Sequence, residues 1–420
     1  MSGADHPGLA APAELAGLLK DPALQAIFAA LGGPDGETRV VGGAVRDALL
    51  GRSVREIDLA TTHLPQRISA LAQAAGLKAI PTGIEHGTVT LVSGGRPFEV
   101  TSLREDIKTD GRYAIVRFGR DFRLDALRRD LTINALSLSP DGRLFDYVGG
   151  LGDLAARKVR FIGDPEQRMK EDYLRILRFF RFTAEYGEGS IDPAGRQAAL
   201  RLRDGLCRLS RERIGAELLK LLGARRAADI IAAISEDGLL HPLLGLVANP
   251  ARLARGVGIE EGTTPDPLRR LAALCMLLPE DAFRLHDRLR LSNAQMARLA
   301  DAASVLVALH GRDEPPGGAE LKVLLFRHGR QAASDGLFLA QAEARPGKDG
   351  AWRDARNFLA VIAEPRFPIS GADLVARGIP AGPAVGRALR DLRESWIKAG
   401  FPLDKASLSQ LLKSLPRPSK

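Results

Sequence analysis

A chain of 420 residues with 45% hydrophobic and 26% charged side chains has the composition of a folded protein of several domains, which excludes a disordered or fibrous chain. A net charge of +9 favours a polyanionic partner, and nucleic acid above all, while 5% aromatics leave too few rings for a broad base-stacking platform. The start lacks a cationic run leading into an apolar one, so no signal peptide is expected; the densest apolar stretch, Leu271–Leu278, is too short to span a bilayer.

Along the chain, residues 1–36 read as one or two short amphipathic helices ending at Gly32-Gly33-Pro34. From Thr38 to about Val148 the pattern is mixed. Strand-type runs occur at Arg39–Val41, Glu56–Ala60, Thr88–Val92, Pro97–Ser102 and Asn134–Leu138, with helical patterns at Ala44–Leu50 and Pro65–Ala75. After about Arg160 strand signals vanish. Helical periods follow, broken at Gly187–Pro193, Gly258–Pro267, Glu314–Gly318, Arg345–Gly350 and Pro365–Gly371, without a fixed repeat. A basic, Pro-spaced end carries Lys413, Arg417 and Lys420. Cys207 and Cys275, the only cysteines, lie in apolar helical patterns with no C-x-x-C, and are expected to be buried, reduced thiols of a cytoplasmic protein.

The most informative stretch is Val41-Gly42-Gly43-Ala44-Val45-Arg46-Asp47, followed by Glu56-Ile57-Asp58-Leu59. In a strand, residues i and i+2 share a face, so Glu56 and Asp58 are expected to point together while Ile57 and Leu59 enter the core. Paired carboxylates repel unless a cation holds them, and Gly42-Gly43 lets backbone N–H groups approach an anion. A phosphate cradle beside a divalent-metal site is equipment for nucleotidyl transfer. Glu99, between Phe98 and Val100, offers a third carboxylate; alone it reads as an ordinary solvent-facing strand residue, and the Glu56/Asp58 pair reverses that balance. Arg46, with Asp47, lies in the first turns of the helix after the Gly pair and can reach a triphosphate there, or else pair with a neighbouring Asp. Arg128-Arg129-Asp130 with Asn134 suits triphosphate, sugar and loop anchoring, although such a charge run on its own is more often a solvated face.

The segment Glu171–Arg181 is expected to be one helix in which Asp172, Arg175 and Arg178 step by three and share a face, with Glu171 bracing Arg175. On spacing alone a salt-bridged face is the better reading. The functional alternative has a specific logic. Cytosine and adenine both present an amino donor beside a ring-nitrogen acceptor. A carboxylate accepts from the first and a guanidinium donates to the second, whereas uracil and guanine present the reverse pattern and leave buried groups unpaired.

Together these residues resemble the tRNA nucleotidyltransferase / bacterial poly(A) polymerase family, of the class II kind in the polymerase-β superfamily. The resemblance covers most of residues 38–225. It rests on Val41–Leu59, Glu99, LRRDLTINAL at Leu127–Leu136, Gly163-Asp164-Pro165, EDYLRILRFFRF from Glu171 and LSRERIGAELL at Leu209–Leu219, with GIPAGPAVG at Gly378–Gly386 less specific. It implies an α+β chain: a polymerase-β-like nucleotidyltransferase head with a small mixed sheet and helices, followed by an all-α neck, body and tail. The expected domains are 1–36 as helical lead, 37–150 as head, 151–225 as neck with the base-reading helix, 226–365 as body and 366–420 as tRNA-binding tail.

By the same resemblance, Glu56 and Asp58 hold two Mg²⁺ and Glu99 helps activate the primer hydroxyl. Gly43, Arg46 and Arg129 bind the incoming triphosphate and sugar; Gly42, Asp47, Asp130 and Asn134, read above from the residues themselves, are expected to join them as nucleotide-binding residues. Asp172 and Arg175 template the base with Glu171 in support, and Arg178 and Arg181 help hold the nucleotide. Thr101–Phe118, with Asp110-Gly111-Arg112, is the expected mobile loop that switches from C to A addition. The implied partners are CTP, ATP and the tRNA acceptor arm, gripped through its backbone and shape. The implied activity is CCA addition; poly(A) addition, addition of CC or A alone, and an RNA-binding relative that has lost catalysis are the alternatives. Glu56 departs from the family's usual Asp at the first metal position. His286-Asp287 has the look of a phosphohydrolase dyad but lacks further ligands at helical spacing.

Overall fold

The computed structural model describes residues 9–10, 13–34, 36–110 and 113–413. Arg417 and Lys420 of the basic end lie outside the described residues, as do Gly111 and Arg112. The chain forms two compact units, Met1–Leu243 and Leu244–Lys420.

The first unit opens with β1 (Leu9–Ala10), α1 (Ala13–Leu19) and α2 (Pro22–Leu31), followed by β2 (Thr38–Val41), α3 (Gly43–Leu49), β3 (Asp58–Thr61) and α4 (Pro65–Ala74). Next come β4 (Lys78–Gly83), β5 (Thr88–Ser93), β6 (Arg96–Ser102) and a separate hairpin of β7 (Arg104–Asp110) and β8 (Tyr113–Phe118). Helix α5 (Phe122–Leu127), a 3₁₀ turn at Thr132–Asn134, β9 (Ser137–Leu138) and β10 (Arg143–Phe145) complete the α/β part. The main sheet has the order β1-β10-β9-β2-β3-β6-β5-β4, antiparallel except where β3 runs parallel to β6. The expected strand at Asn134–Leu138 is shorter than its apolar run because Thr132–Asn134 coils into the 3₁₀ turn.

No named strand follows Phe145 among the described residues, as the sequence pattern leads one to expect. Helices α6 (Gly150–Ala155), α7 (Pro165–Glu171), α8 (Leu174–Tyr186), α9 (Pro193–Arg201), α10 (Arg211–Gly223), α11 (Ala227–Glu236) and α12 (Leu240–Leu244) follow. The second unit is built from α13 (Pro250–Ile259), α14 (Pro267–Cys275), α15 (Pro279–Leu289), α16 (Asn293–Leu309), α17 (Gly318–Glu343) and α18 (Asp349–Val361). It continues with α19 (Gly371–Val375), α20 (Pro383–Lys398) and α21 (Lys405–Lys413). No described helix is long and apolar enough to cross a membrane.

A recurring local device starts these helices. In α2, α7, α9, α13 and α14 an Asp or Asn caps the first free N–H groups and a Pro takes the first helical position, where its missing N–H is harmless. The Asp21 carboxylate, for example, accepts from Ala23 N at 2.9 Å. Part of the head's core forms where β2 and β3 meet the start of α5: Val41, Ala60, Leu103 and Phe122 pack together. In the second unit, Ile369, Leu374 and Leu392 form the buried centre of the last helices.

Candidate active site

The parallel pairing of β3 with β6 sets Asp58 directly opposite Glu99. Alternation carries Ile57, Leu59, Phe98 and Val100 into the core and leaves both acids on the open face. Glu56 is not in the strand. The ladder between β2 and β3 begins at Val41 opposite Asp58, because β2 ends where Gly42 turns the chain, so Glu56 has no strand residue to pair with. It still stands near enough to act electrostatically on Asp58.

Among the described residues, none of these three carboxylates accepts a hydrogen bond or pairs with a cation. Asp58 remains accessible to solvent although protein packs around much of it. That partial burial, then Glu99, then Glu56 push its proton affinity above the ordinary carboxylate value, against the opposing pull of Arg129. As the side chains stand, no three His, Cys, Asp or Glu among the described residues surround one point closely enough to hold an ion. Asp58 and Glu99 are the pair brought side by side, with Glu56 set off from them. Hard oxygen donors that repel one another and lack protein partners are the donor set of a divalent cation such as Mg²⁺, and the residues fit one.

The glycine turn abuts this pair. Gly42 sits at φ 71° and ψ −123°, a region open to glycine alone, and its N–H donates to Leu136 O at 3.0 Å. A Cβ there would lie 3.1 Å from Arg129 Nη1, whereas one on Gly43 would meet Arg46 Nη2 at 3.4 Å. Gly42→Ala is therefore expected to lose about 1–3 kcal/mol of stability and to displace Arg129. A fall in catalytic turnover of about tenfold or more, beyond any fall in folded fraction on melting, checks it.

Of the two readings of Arg46, reach to a triphosphate or pairing with a neighbouring Asp, the structure shows the pairing, with the guanidinium turned inward. It is 6% exposed, donates to both Asp47 oxygens at 2.9 and 3.0 Å, to Asn134 Oδ1 at 2.5 Å and to Tyr186 Oη at 2.7 Å, and lies over the Tyr186 ring at 4.0 Å. Asn134 in turn donates to Asp130 at 3.3 Å, and Asp130 accepts from Arg178 Nε at 2.7 Å. Burial would raise the Asp130 proton affinity, but Arg178 and the donated hydrogen bonds hold the carboxyl below the usual range. One buried polar network thus ties α3, the 3₁₀ turn and α8 together. Arg129 lies beside it, bonded to Asp125 Oδ2 at 3.1 Å and to Asn134 O at 3.3 Å. Asp125, 3% exposed and also paired with Arg128, fixes both arginines and escaped the sequence reading. Its spacing of three and four residues before them is the signal that was available.

The segment from Glu171 is not one helix. It ends as α7 at Glu171, Asp172 is extended (φ −155°, ψ 110°), and α8 restarts at Leu174. The Asp172 carboxylate caps the restart by accepting from Leu174 N at 3.1 Å, the competition with helical bonding to which Asp is prone. Its other oxygen accepts from Arg213 Nη2 of α10 at 2.5 Å. Arg175 and Arg178 do share α8, but Asp172 does not step onto their face. Arg175 pairs with Glu171, which also holds Arg168 at 3.1 Å, and Arg181 pairs with Glu217 at 2.5 Å. Arg213 and Glu217 were both inside the LSRERIGAELL motif without being singled out.

Thr101–Phe118 contributes the β7–β8 hairpin, anchored where Leu103 N donates to Thr61 O at 2.7 Å. Cys275 is buried, which pushes its thiol up to about 12, but Cys207 is exposed, because its 3₁₀ segment Arg203–Arg208 lies at the surface where a longer helix period had been expected.

Residues 38–160 match the family model described as a poly A polymerase head domain, and 190–249 match one described as a probable RNA and SrmB-binding site of polymerase A. The class is thereby defined as a nucleotidyltransferase with a polymerase-β-type head. The chain is 36% identical over 388 residues to the mitochondrial CCA tRNA nucleotidyltransferase 1 of Mus musculus, covering 90% of this chain and 86% of that protein. It is 30% identical over 382 residues to a Lactobacillus johnsonii CCA-adding enzyme, covering 90% and 93%. The crystal structure of the Bacillus stearothermophilus CCA-adding enzyme in complex with CTP superposes with a TM-score of 0.73 at 27% identity, covering 96% of this chain and 98% of that one. The chain belongs to the CCA-adding tRNA nucleotidyltransferase family. Membership implies dependence on a divalent metal.

Proposed function

We infer that this protein adds CMP, CMP and AMP to the 3′ end of tRNA, using CTP and ATP and no nucleic-acid template. The observation that carries this reading is likeness across nine-tenths of the chain, head and helical part together, to enzymes that bear the CCA-adding name. In this reading Asp58 and Glu99, with Glu56, hold two Mg²⁺. When bound, these ions supply Lewis-acid stabilisation of the reacting phosphate and the departing pyrophosphate. Glu99 accepts the hydrogen of the tRNA 3′ hydroxyl and aims its oxygen at the α-phosphate. The Gly42-Gly43 turn and Arg129 receive the triphosphate, while Arg46, Asp47, Asn134 and Asp130 position that turn from beneath.

Asp172 and Arg175 read the base edge, with Glu171 and Arg213 setting their orientation and with Arg178 and Arg181 behind them. The Thr101–Phe118 segment switches C to A addition, and residues 151–225, 226–365 and 366–420 serve as neck, body and tail against the acceptor arm. Two free cysteines accord with a reducing, cytoplasmic setting.

Incubating the pure protein with tRNA lacking its 3′ CCA and each labelled nucleotide tests the reading. Incorporation of C, C and one A, then arrest, is expected; UMP or GMP entering at the rate of CMP would defeat the base-reading argument. An indefinite A tract would instead reveal the poly(A) polymerase to which the head model's description refers. Glu56→Asp shortens a metal-facing side chain by one methylene towards the family's usual residue. Turnover is expected to rise by about two- to tenfold, and an unchanged or lower kcat would show that Glu56 is already well placed.

A further inference from the structure

The second unit contains a basic concavity to whose residues the proposed function gives no individual role. Its volume is about 650 Å³, and its walls come from α13, α17 and α18. One guanidinium in it is already matched: Arg255 pairs with Asp349 at 3.0 Å and donates to the Gln341 and Ala342 carbonyls at 3.2 Å. Arg353 and Arg356, three residues apart on α18 and so on one side of it, have no hydrogen bond, ion pair or ring contact among the described residues.

Arg356 is half-buried. Its burial, then Arg269, then Arg353 lower its hold on its proton, against the weaker pull of Glu260, though a guanidinium stays charged at neutral pH. The lining also includes Gln341, 3% exposed, whose Oε1 is buried and receives no donor. Arg353 is exposed and hydrated, whereas the half-buried Arg356 guanidinium has given up part of its water without gaining an acceptor, a cost that a ligand oxyanion held between the two would offset.

We propose that this concavity is a phosphate-recognition site in which Arg353 and Arg356 hold an oxyanion. The chemistry is that of a phosphorylated molecule, and the cavity has the size that encloses a nucleotide. Guanidinium pairs suit phosphate because two N–H groups meet two oxygens. Glu261, exposed on the rim, is the acid left without a cation, and it disfavours a ligand that carries more negative charge across that edge. A free nucleotide and an RNA phosphate share this chemistry.

The test uses the full chain in a chelating buffer, titrated calorimetrically with inorganic phosphate and with AMP. The Arg353→Gln/Arg356→Gln double variant is expected to lose affinity for both by about tenfold or more, with a melting temperature no lower than wild type. Displacement of AMP by tRNA assigns the site to the RNA backbone, and its absence assigns it to a free nucleotide. Equal phosphate affinity in wild type and the double variant, or no phosphate binding by wild type at millimolar concentration, overturns the proposal.

Discussion

Asp58→Asn is expected to lower nucleotide incorporation by about a thousandfold, ~4 kcal/mol of transition-state stabilisation, without lowering the melting temperature. The carboxylate has no hydrogen-bond or ion-pair partner among the described residues, while Glu99 lies across the ladder and Glu56 acts on it from beyond the strand end. Its folded-state proton affinity is raised, so the stability linked to it is complete below the ordinary carboxylate value and is lost as pH rises through the raised one. At neutral pH without metal the charge opposes folding, and Asn removes it while keeping the shape. Added Mg²⁺ is expected to raise the melting temperature of wild type more than that of the variant. A variant that melts several degrees lower and still incorporates CMP would make Asp58 a structural acid and end the catalytic assignment.

Asp130→Ala is expected to have the opposite character, a large loss of stability that takes activity with it. Asp130 is 8% exposed and joins Arg178 of α8 to Asn134 and, through it, to Arg46 under the glycine turn. Removing it leaves Arg178, a third exposed, without its carboxylate, and breaks one of the links between head and α8, leaving that of Arg46 to Tyr186. The destabilisation is about 3 kcal/mol, or roughly 6–10 °C for a unit of this size. The folded-state proton affinity is lowered here, so the contribution is present above the ordinary carboxylate value of 3.8 and is lost as pH falls through the folded-state value. Thermal melts of wild type and variant should differ fully at pH 7 and converge below about pH 4. A gap that stayed constant into that acid range would mean the ion pair is not what Asp130 contributes.

These two acids show how much was legible beforehand. The Asp58 and Glu99 positions could be read because each sits between apolar neighbours, and period-two alternation then sends the acid to the open face whatever the rest of the sheet does. The end of β3 could not be read. It depends on where β2 stops, which the turn at Gly42 decides from sixteen positions before Asp58, a pairing that spacing alone does not reveal. The helix break at Asp172 was missed for a related reason. Local periodicity counts side chains at helical steps, but an Asp that caps its own downstream N–H, with Arg213 drawing on its other oxygen, ends the helix that the count continues.

The sequence by itself determined the division into an α/β head and an all-helical remainder, the strands that carry the acids and the family motifs. Each of these is written in neighbouring residues, as periodicity, capping and turn chemistry. Only the tertiary structure decided which charges face one another. Arg46 meets Tyr186 and Asp130 meets Arg178 across separations of 140 and 48 residues. An arginine that on spacing could face a triphosphate or pair with a neighbouring Asp lies beneath the turn, because burying a guanidinium is tolerable only where acceptors from several distant elements converge on it.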